Sequence, residues 1–118
     1  MLRRAEDMRS EIGTNLRGGQ GQVEMTHILE SSQNEFNDKG RVFARITLPP
    51  GASVGYHQHV GDSEAYYILS GQGIVNDNGT EVAVKAGDMV LTRDGEYHGI
   101  VNTAAAEDLV FIGLILFA

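Results

Sequence analysis

The sequence predicts an all-β protein in which antiparallel strands form a sandwich or a barrel. Three observations predict it: segments of alternating or β-branched residues recur along the chain, turn-forming glycines separate them, and no segment has the period of a long helix. Strands of this kind must pack their apolar faces together to bury a core. The chain has 118 residues, which is the size of one domain.

Residues 1–21 are predicted to form a short extension ahead of a β-domain over residues 22–118. Residues 1–12 have mixed charge and a weak apolar stripe, which favours one or two helical turns. The sequence Gly-Gly-Gln-Gly at residues 18–21 predicts a flexible linker, because it lacks the lysine and the hydroxyl residue of a phosphate-binding loop. No apolar segment of a secretory signal follows the charged N-terminus, so we expect a cytoplasmic protein.

The predicted domain begins with a partly alternating strand over residues 22–29 and a fully alternating strand over residues 41–48. In the second strand the aliphatic residues share one face, and Arg41, Phe43 and Arg45 share the other. The Pro-Pro-Gly sequence that follows ends this strand, since proline cannot donate a ladder hydrogen bond.

A strand over residues 64–69 and another over residues 73–76 lead into the sequence Asn-Asp-Asn-Gly. Its Asn-Gly pair is typical of a tight hairpin turn, because both residues tolerate a positive φ angle. The remaining strands are expected over residues 80–84, 88–92, 97–101 and 109–117.

The last predicted strand is apolar on both faces. A strand with one face in water would alternate between apolar and polar residues, so something must cover its second face. A second subunit is the simplest cover, and we therefore expect a homodimer. Coverage by the chain's own N-terminal segment is the alternative.

Composition excludes several classes of protein. Nine basic and 16 acidic residues give a net charge of −7, which argues against binding to nucleic acid or to an anionic membrane surface. The chain has no cysteine, so disulfide scaffolds, zinc ribbons and thiol nucleophiles are excluded. Its longest apolar run, residues 109–118, is about half of what a membrane helix needs. Any metal ion must be held by His, Asp or Glu.

Two histidines and a glutamate are close together in the sequence. His57 and His59 are two residues apart, a spacing that puts both imidazoles on one face of a strand. Glu64 follows across a predicted turn, and a closed sheet can bring His98 opposite the first pair. Three imidazoles and one carboxylate suit a divalent first-row metal and leave coordination positions open for water, O₂ or a chelating substrate. Any single histidine is more often structural, and His27, outside this pattern, is interpreted as structural or at the surface.

The spacing of these residues and of the glycines around them resembles the two sequence motifs of the cupin superfamily. The first motif is matched at every position by Gly51, His57, His59, Glu64 and Gly71. The second motif is matched by Gly87, Gly95, His98 and Asn102. Arg93 stands where that motif has proline, which affects the stiffness of a turn and not a metal ligand. The chain looks closest to small single-domain bacterial cupins of the oxalate-decarboxylase-like type.

The resemblance implies an antiparallel jelly-roll β-barrel over residues 22–118. It also implies that one divalent metal ion per subunit is bound inside the barrel by His57, His59, Glu64 and His98. The family uses Mn, Fe, Ni, Co or Zn. We expect either an enzyme acting on a small carboxylate or oxygenated metabolite, such as a decarboxylase, dioxygenase or isomerase, or a non-catalytic binder of a small acid or sugar.

The side chains around the metal would determine which of these functions the protein has. Because Glu64 faces inward, alternation puts Tyr66 on the same face and Tyr67 outside. Tyr66 is therefore the predicted catalytic residue, a phenol that can meet a bound substrate or transfer a proton. A core aromatic residue whose hydroxyl binds the backbone is the alternative. Arg45 either faces the cavity, where it could clamp a carboxylate, or faces outward, which we favour.

Overall fold

The computed structural model describes residues 1–118, and its regular structure consists almost entirely of β-strands. The ten strands are β1 (Ser10–Thr14), β2 (Gln22–His27), β3 (Gly40–Leu48), β4 (Ser53–Gln58), β5 (Asp62–Ser70), β6 (Gln72–Asp77), β7 (Thr80–Lys85), β8 (Met89–Thr92), β9 (Tyr97–Val101) and β10 (Leu109–Phe117). The helical segments are 3-10 turns of three residues each, over Ala5–Asp7, Leu16–Gly18 and Ser31–Gln33. The all-β prediction is confirmed, and none of these turns is long enough to cross a lipid bilayer.

The strands form two antiparallel sheets in which sequence neighbours are often not spatial neighbours. One sheet has six strands in the order β1-β2-β3-β10-β5-β8, and the other has four in the order β4-β9-β6-β7. β10 thus lies between β3 and β5, and β9 lies between β4 and β6. This order brings β9 beside β4 and places His98 directly opposite His57 in the ladder.

The core lies between the inner faces of the two sheets. Apolar side chains from both sheets are fully buried there: Leu48, Ile68, Leu109, Phe111, Val75 and Ile100. Each contributes about 1.5–3 kcal/mol relative to an exposed side chain. The alternation predicted along β5 is confirmed, since Tyr66 is 2% exposed and Tyr67 is 49% exposed. Arg45 is exposed on the outer face, as favoured from the sequence.

The N-terminal segment contains more regular structure than its sequence predicts. Ser10–Thr14 is a strand that pairs with β2 and extends the six-stranded sheet. The helical turns expected over residues 1–12 are reduced to one 3-10 turn at Ala5–Asp7. Pairing with an available sheet edge outweighs the weak helical pattern here, because a strand added to an edge gains a complete ladder of hydrogen bonds.

Residues 18–21, predicted to be a flexible linker, are instead held against β4. The amide of Gln20 donates to Ser53 Oγ over 2.9 Å, and the amide of Ser53 donates to the carbonyl oxygen of Gln20 over 2.9 Å. A β-carbon on Gly19 would collide with the carbonyl oxygen of Ser53. Gly19 therefore serves the close approach of two backbones rather than flexibility, while Gly18 and Gly21 have positive φ angles of 78° and 74°.

Candidate metal centre

The four predicted ligand residues lie together inside the barrel. His57 lies on β4, Glu64 on β5 and His98 on β9, while His59 follows β4 directly. Their ligand atoms all lie within 4.8 Å of one another, and all four residues except the half-buried His57 are buried. The structure thus brings together the whole predicted set, and this cluster could hold one metal ion.

Each imidazole is oriented by a contact at its Nδ1 atom. The three contacts are His57 Nδ1 donating to the carbonyl oxygen of Gly55 (2.7 Å), His59 Nδ1 donating to Asp62 Oδ1 (2.6 Å) and His98 Nδ1 with Thr92 Oγ1 (2.8 Å). With Nδ1 engaged in this way, Nε2 of every ring remains as the ligand atom. Metal-binding histidines are held by the same kind of contact, which fixes the orientation of the ring.

The distances between the ligand atoms fit a metal ion. His59 Nε2 and His98 Nε2 are 3.0 Å apart, and each lies 3.2 Å from Glu64 Oε1. Because His59 Nδ1 carries the proton donated to Asp62, its Nε2 bears a lone pair in the neutral ring. A lone pair that faces a carboxylate oxygen is repelled unless a proton or a cation lies between them. Two ligand atoms about 2.1 Å from one ion and at right angles would lie about 3.0 Å apart, so the donor set fits a single divalent ion.

The electrostatics of the cluster also favour a cation. Burial raises the pKa of the Glu64 carboxyl, but the contacts with the His59 and His98 rings outweigh it and hold the pKa below its usual value. Burial lowers the pKa of His57. Both groups are therefore in the deprotonated form that binds metal. The Glu64 carboxylate stabilises a proton on His59 Nε2 and so raises the pKa of His59, which means that a metal ion competes with a proton at that ring.

Tyr66 lies directly beside the ligands. Its ring stacks on the imidazole of His98 with centroids 4.7 Å apart, and its hydroxyl lies 3.4 Å from His98 Nε2. Burial and, to a lesser degree, the negative charge of Glu64 raise the pKa of Tyr66 well above its ordinary value, and the positive charge of Arg17 opposes them only weakly. The hydroxyl stays protonated and can donate a hydrogen bond to a group bound at the cluster. Its catalytic role stays a prediction.

Asp62, the carboxylate that orients His59, is not among the site residues predicted from the sequence. Asp62 is buried, and its second oxygen, Oδ2, accepts a hydrogen bond from Arg41 Nε over 3.0 Å. Burial raises the pKa of Asp62, but the hydrogen bonds with His59 and Arg41 more than offset it and lower the pKa. The carboxylate is therefore ionised. The spacing of three residues between His59 and Asp62 is the only signal for this contact in the sequence.

Arg41 lies on the opposite face from the one that alternation predicts. The ladder between β3 and β10 pairs Ile115 with Val42 but Leu116 with Gly40, so Arg41 is an extra residue on β3. Such a bulge turns the side chain of the extra residue. Arg41 therefore reaches the cavity instead of the outer face of the sheet.

A cavity of about 320 Å³ adjoins the cluster and is lined by three of the four ligand residues. Its other polar lining residues are Glu11, Arg17, His27, Arg41 and Tyr66. His27, interpreted from the sequence as structural or at the surface, is the former: it is buried, lines this cavity and places Nε2 2.9 Å from Glu11 Oε1. Glu11 and Arg17 belong to the predicted N-terminal extension, so residues outside the predicted domain line the cavity.

Known proteins resemble this chain in sequence and in fold. A family model described as "Cupin domain" matches residues 44–115. A curated protein of Thermotoga maritima named "Oxalate-binding protein" is 47% identical over 116 residues, which are 98% of this chain and 93% of that protein. A crystal structure from the same organism, described as a predicted oxalate decarboxylase, has a TM-score of 0.90 and 45% identity and covers 100% of both chains. The structure of the polyketide cyclase RemF of Streptomyces resistomycificus has a TM-score of 0.77 at 19% identity, and the match covers 99% of this chain and 80% of the RemF chain. At this identity the similarity concerns the fold alone.

Proposed function

The chain belongs to the cupin family, and we propose that it binds one divalent transition-metal ion at its three-histidine, one-glutamate cluster and holds a small dicarboxylate such as oxalate there. The observation that carries this proposal is the contact of His59 Nε2 with His98 Nε2 at 3.0 Å and with Glu64 Oε1 at 3.2 Å. Three imidazole nitrogens and one carboxylate oxygen suit Mn, Fe, Co, Ni or Zn. When bound, such an ion supplies positive charge and Lewis acidity to an oxygen ligand.

The cavity beside the cluster supports a small anionic ligand. Its lining includes Arg17 and Arg41, and its volume of about 320 Å³ lies at the lower end of the range for small-molecule sites. Guanidinium groups bind carboxylates through paired hydrogen bonds, whereas a neutral sugar would gain little from them. The name of the 47% identical relative supports the same class of ligand.

Metal analysis combined with calorimetry tests this function. We expect close to one equivalent of divalent metal per chain in the purified protein. Oxalate should bind to the metal-loaded protein, lose its binding after chelation and regain it when metal is restored. Equal binding of oxalate to metal-free protein, or no binding at all, would contradict the proposal.

Catalysis at this site is a second candidate function, favoured by the position of Tyr66. Decarboxylation of oxalate breaks the C–C bond, releases CO₂ and needs one proton on the remaining carbon to give formate. The Tyr66 hydroxyl is protonated, buried and 3.4 Å from His98 Nε2, so it can donate a hydrogen bond to a ligand at the cluster. Tyr66 would then be the catalytic residue.

The variant Tyr66→Phe separates binding from catalysis. It keeps the ring that packs on His98 and Phe111, so fold and metal content should be unchanged. If the wild type converts oxalate to formate, the variant should bind oxalate and turn over about 100-fold more slowly. If the wild type binds oxalate without releasing formate, binding alone is its function. If the variant turns oxalate over as fast as the wild type, Tyr66 is not the catalytic residue.

We also propose that the chain forms a homodimer through the outer face of β10 and its neighbours. On this face Leu114 pairs with Phe43 of β3, and Ile112 pairs with Tyr67 of β5, which in turn pairs with Met89 of β8. Tyr67 is 49% exposed and Met89 is 60% exposed. The N-terminal strand does not cover this face, because it extends the sheet beyond β2. These partly or fully exposed apolar residues lie around Arg45, which pairs with Ile112 on the same face. Apolar side chains of four neighbouring strands on one face beside a charged group are typical of a protein–protein interface.

A further inference from the structure

The backbone of the turn between β1 and β2 is unusual at one residue. Six residues other than glycine have a positive φ angle, and five of them are asparagine or aspartate. The exception is Arg17, with φ 53° and ψ 33°. A long side chain in this left-handed conformation costs about 1–2 kcal/mol, whereas asparagine, aspartate and glycine adopt it readily. Such strain persists where the surrounding structure imposes it, and it is concentrated at sites that clamp ligands.

The surrounding structure imposes this conformation through β4. The amide of Gly18 donates to the carbonyl oxygen of Asn15 over 3.1 Å, which closes the turn. A β-carbon on Gly55 would collide with the carbonyl oxygen of Arg17, so only glycine at that position lets the turn approach β4. The carbonyl oxygen of the same Gly55 accepts the hydrogen bond from His57 Nδ1. One residue therefore positions both a ligand of the cluster and the turn that carries Arg17.

The two arginines of the cavity differ in what they bind within the protein. Arg41 is engaged by Asp62 at 3.0 Å. Arg17 lines the same cavity and is solvent-exposed, but its guanidinium group has no hydrogen bond or ion pair within the protein. Its five N–H donors are therefore available to an anion that enters the cavity.

We propose that Arg17 is a specificity-determining residue that binds the carboxylate oxygens of a dicarboxylate directed away from the histidine cluster. This role rests on the proposed function and adds to it a reason for preferring two carboxylates over one. A monocarboxylate held at the cluster has no second carboxylate group to present to Arg17. A guanidinium group can bind a carboxylate through two parallel hydrogen bonds, which a lysine at the same position cannot reproduce.

The variant Arg17→Asn tests this proposal, because asparagine tolerates the left-handed backbone of the turn. We expect the metal-loaded variant to keep its metal content, to unfold at the same temperature as the wild type or higher, and to bind oxalate about 10- to 100-fold more weakly by calorimetry. Its affinity for formate should be unchanged. Arg17→Lys should recover only part of the oxalate affinity. Arg4→Gln, which removes an exposed arginine of the same segment outside the cavity, is the matched control and should bind both anions as the wild type does.

Each other outcome overturns the proposal. If the wild type binds oxalate and Arg17→Asn binds it within about twofold, Arg17 has no such role while the proposed function stands. If Arg17→Asn loses its metal, or if its affinity for formate falls as much as its affinity for oxalate, Arg17 acts on the structure of the cluster and not on the second carboxylate. If the wild type itself binds no oxalate, this proposal and the proposed function fail together.

Discussion

Asp62 holds His59 from the side opposite the ligand cluster: its Oδ1 atom accepts a hydrogen bond from His59 Nδ1 over 2.6 Å. Its other oxygen accepts one from Arg41 Nε over 3.0 Å, so a buried carboxylate links the arginine to the ring. A carboxylate in this position fixes the tautomer of a metal-binding histidine and makes its free nitrogen a stronger ligand. The cluster is thus supported by residues that the four-ligand pattern does not contain.

Loss of this support should weaken metal binding without destroying the fold. We expect Asp62→Ala to lower metal affinity about 10- to 100-fold, as measured by competition with a chelating dye, because the His59 ring loses the group that orients it. Asp108→Ala, which removes an exposed carboxylate with no hydrogen-bond partner, is the control and should bind metal normally. An unchanged affinity in Asp62→Ala would show that the packing around His59 is sufficient to orient it.

The histidines of the cluster can be distinguished from the other histidine of the cavity. His57→Ala or His59→Ala should abolish stoichiometric metal, as measured by elemental analysis, because either change removes one nitrogen ligand from a set of four. His27→Ala is the matched control, since His27 lines the same cavity but contacts Glu11. It should retain one equivalent of metal. Unchanged metal content in the first two variants would refute the ligand assignment.

Sequence periodicity predicts the parts of this site that depend on local geometry. Alternation places Tyr66 inside and Tyr67 outside, because side-chain direction in a regular strand depends only on position along it. The same rule fails at Arg41, where an extra residue opposite β10 breaks the alternation. Alternation does not predict the position of Arg17 either, because Arg17 lies in a turn whose approach to β4 depends on Gly55. Both failures arise from contacts between segments that are distant in the sequence.

The outer face of β10 provides a test of the proposed dimer. Leu114→Asp or Leu116→Asp should weaken association or prevent folding, because each places a charge on an apolar face that a second copy would cover. Val82→Asp on β7 is the control, since Val82 is 45% exposed, close to the 42% of Leu116, but lies on the other sheet. Analytical ultracentrifugation measures the outcome. A well-folded Leu114→Asp variant that sediments as the wild type does would rule out a dimer formed through this strand.

The N-terminal segment is joined to the barrel by an ion pair whose contribution should depend on pH. Arg3 Nη1 and Nη2 donate to the two carboxylate oxygens of Glu35 over 2.8 and 2.7 Å, and the amide of Glu30 donates to Glu35 Oε1 over 2.8 Å. The hydrogen bonds from Arg3, followed by that from the amide, lower the pKa of Glu35 from 4.5 to about 2. The folded protein therefore favours the ionised form.

Because the folded pKa lies below the unfolded value, the contribution of Glu35 to stability is complete above pH 4.5 and is lost as the pH falls towards 2. We expect Glu35→Gln to unfold at a lower temperature than the wild type at pH 7, as followed by circular dichroism. The difference should narrow between pH 4.5 and 2 and vanish near the lower limit. Glu81→Gln, which removes an exposed carboxylate of β7, should show no such convergence. If the difference in unfolding temperature between Glu35→Gln and the wild type stays constant over this range, the ion pair does not stabilise the fold through its charge.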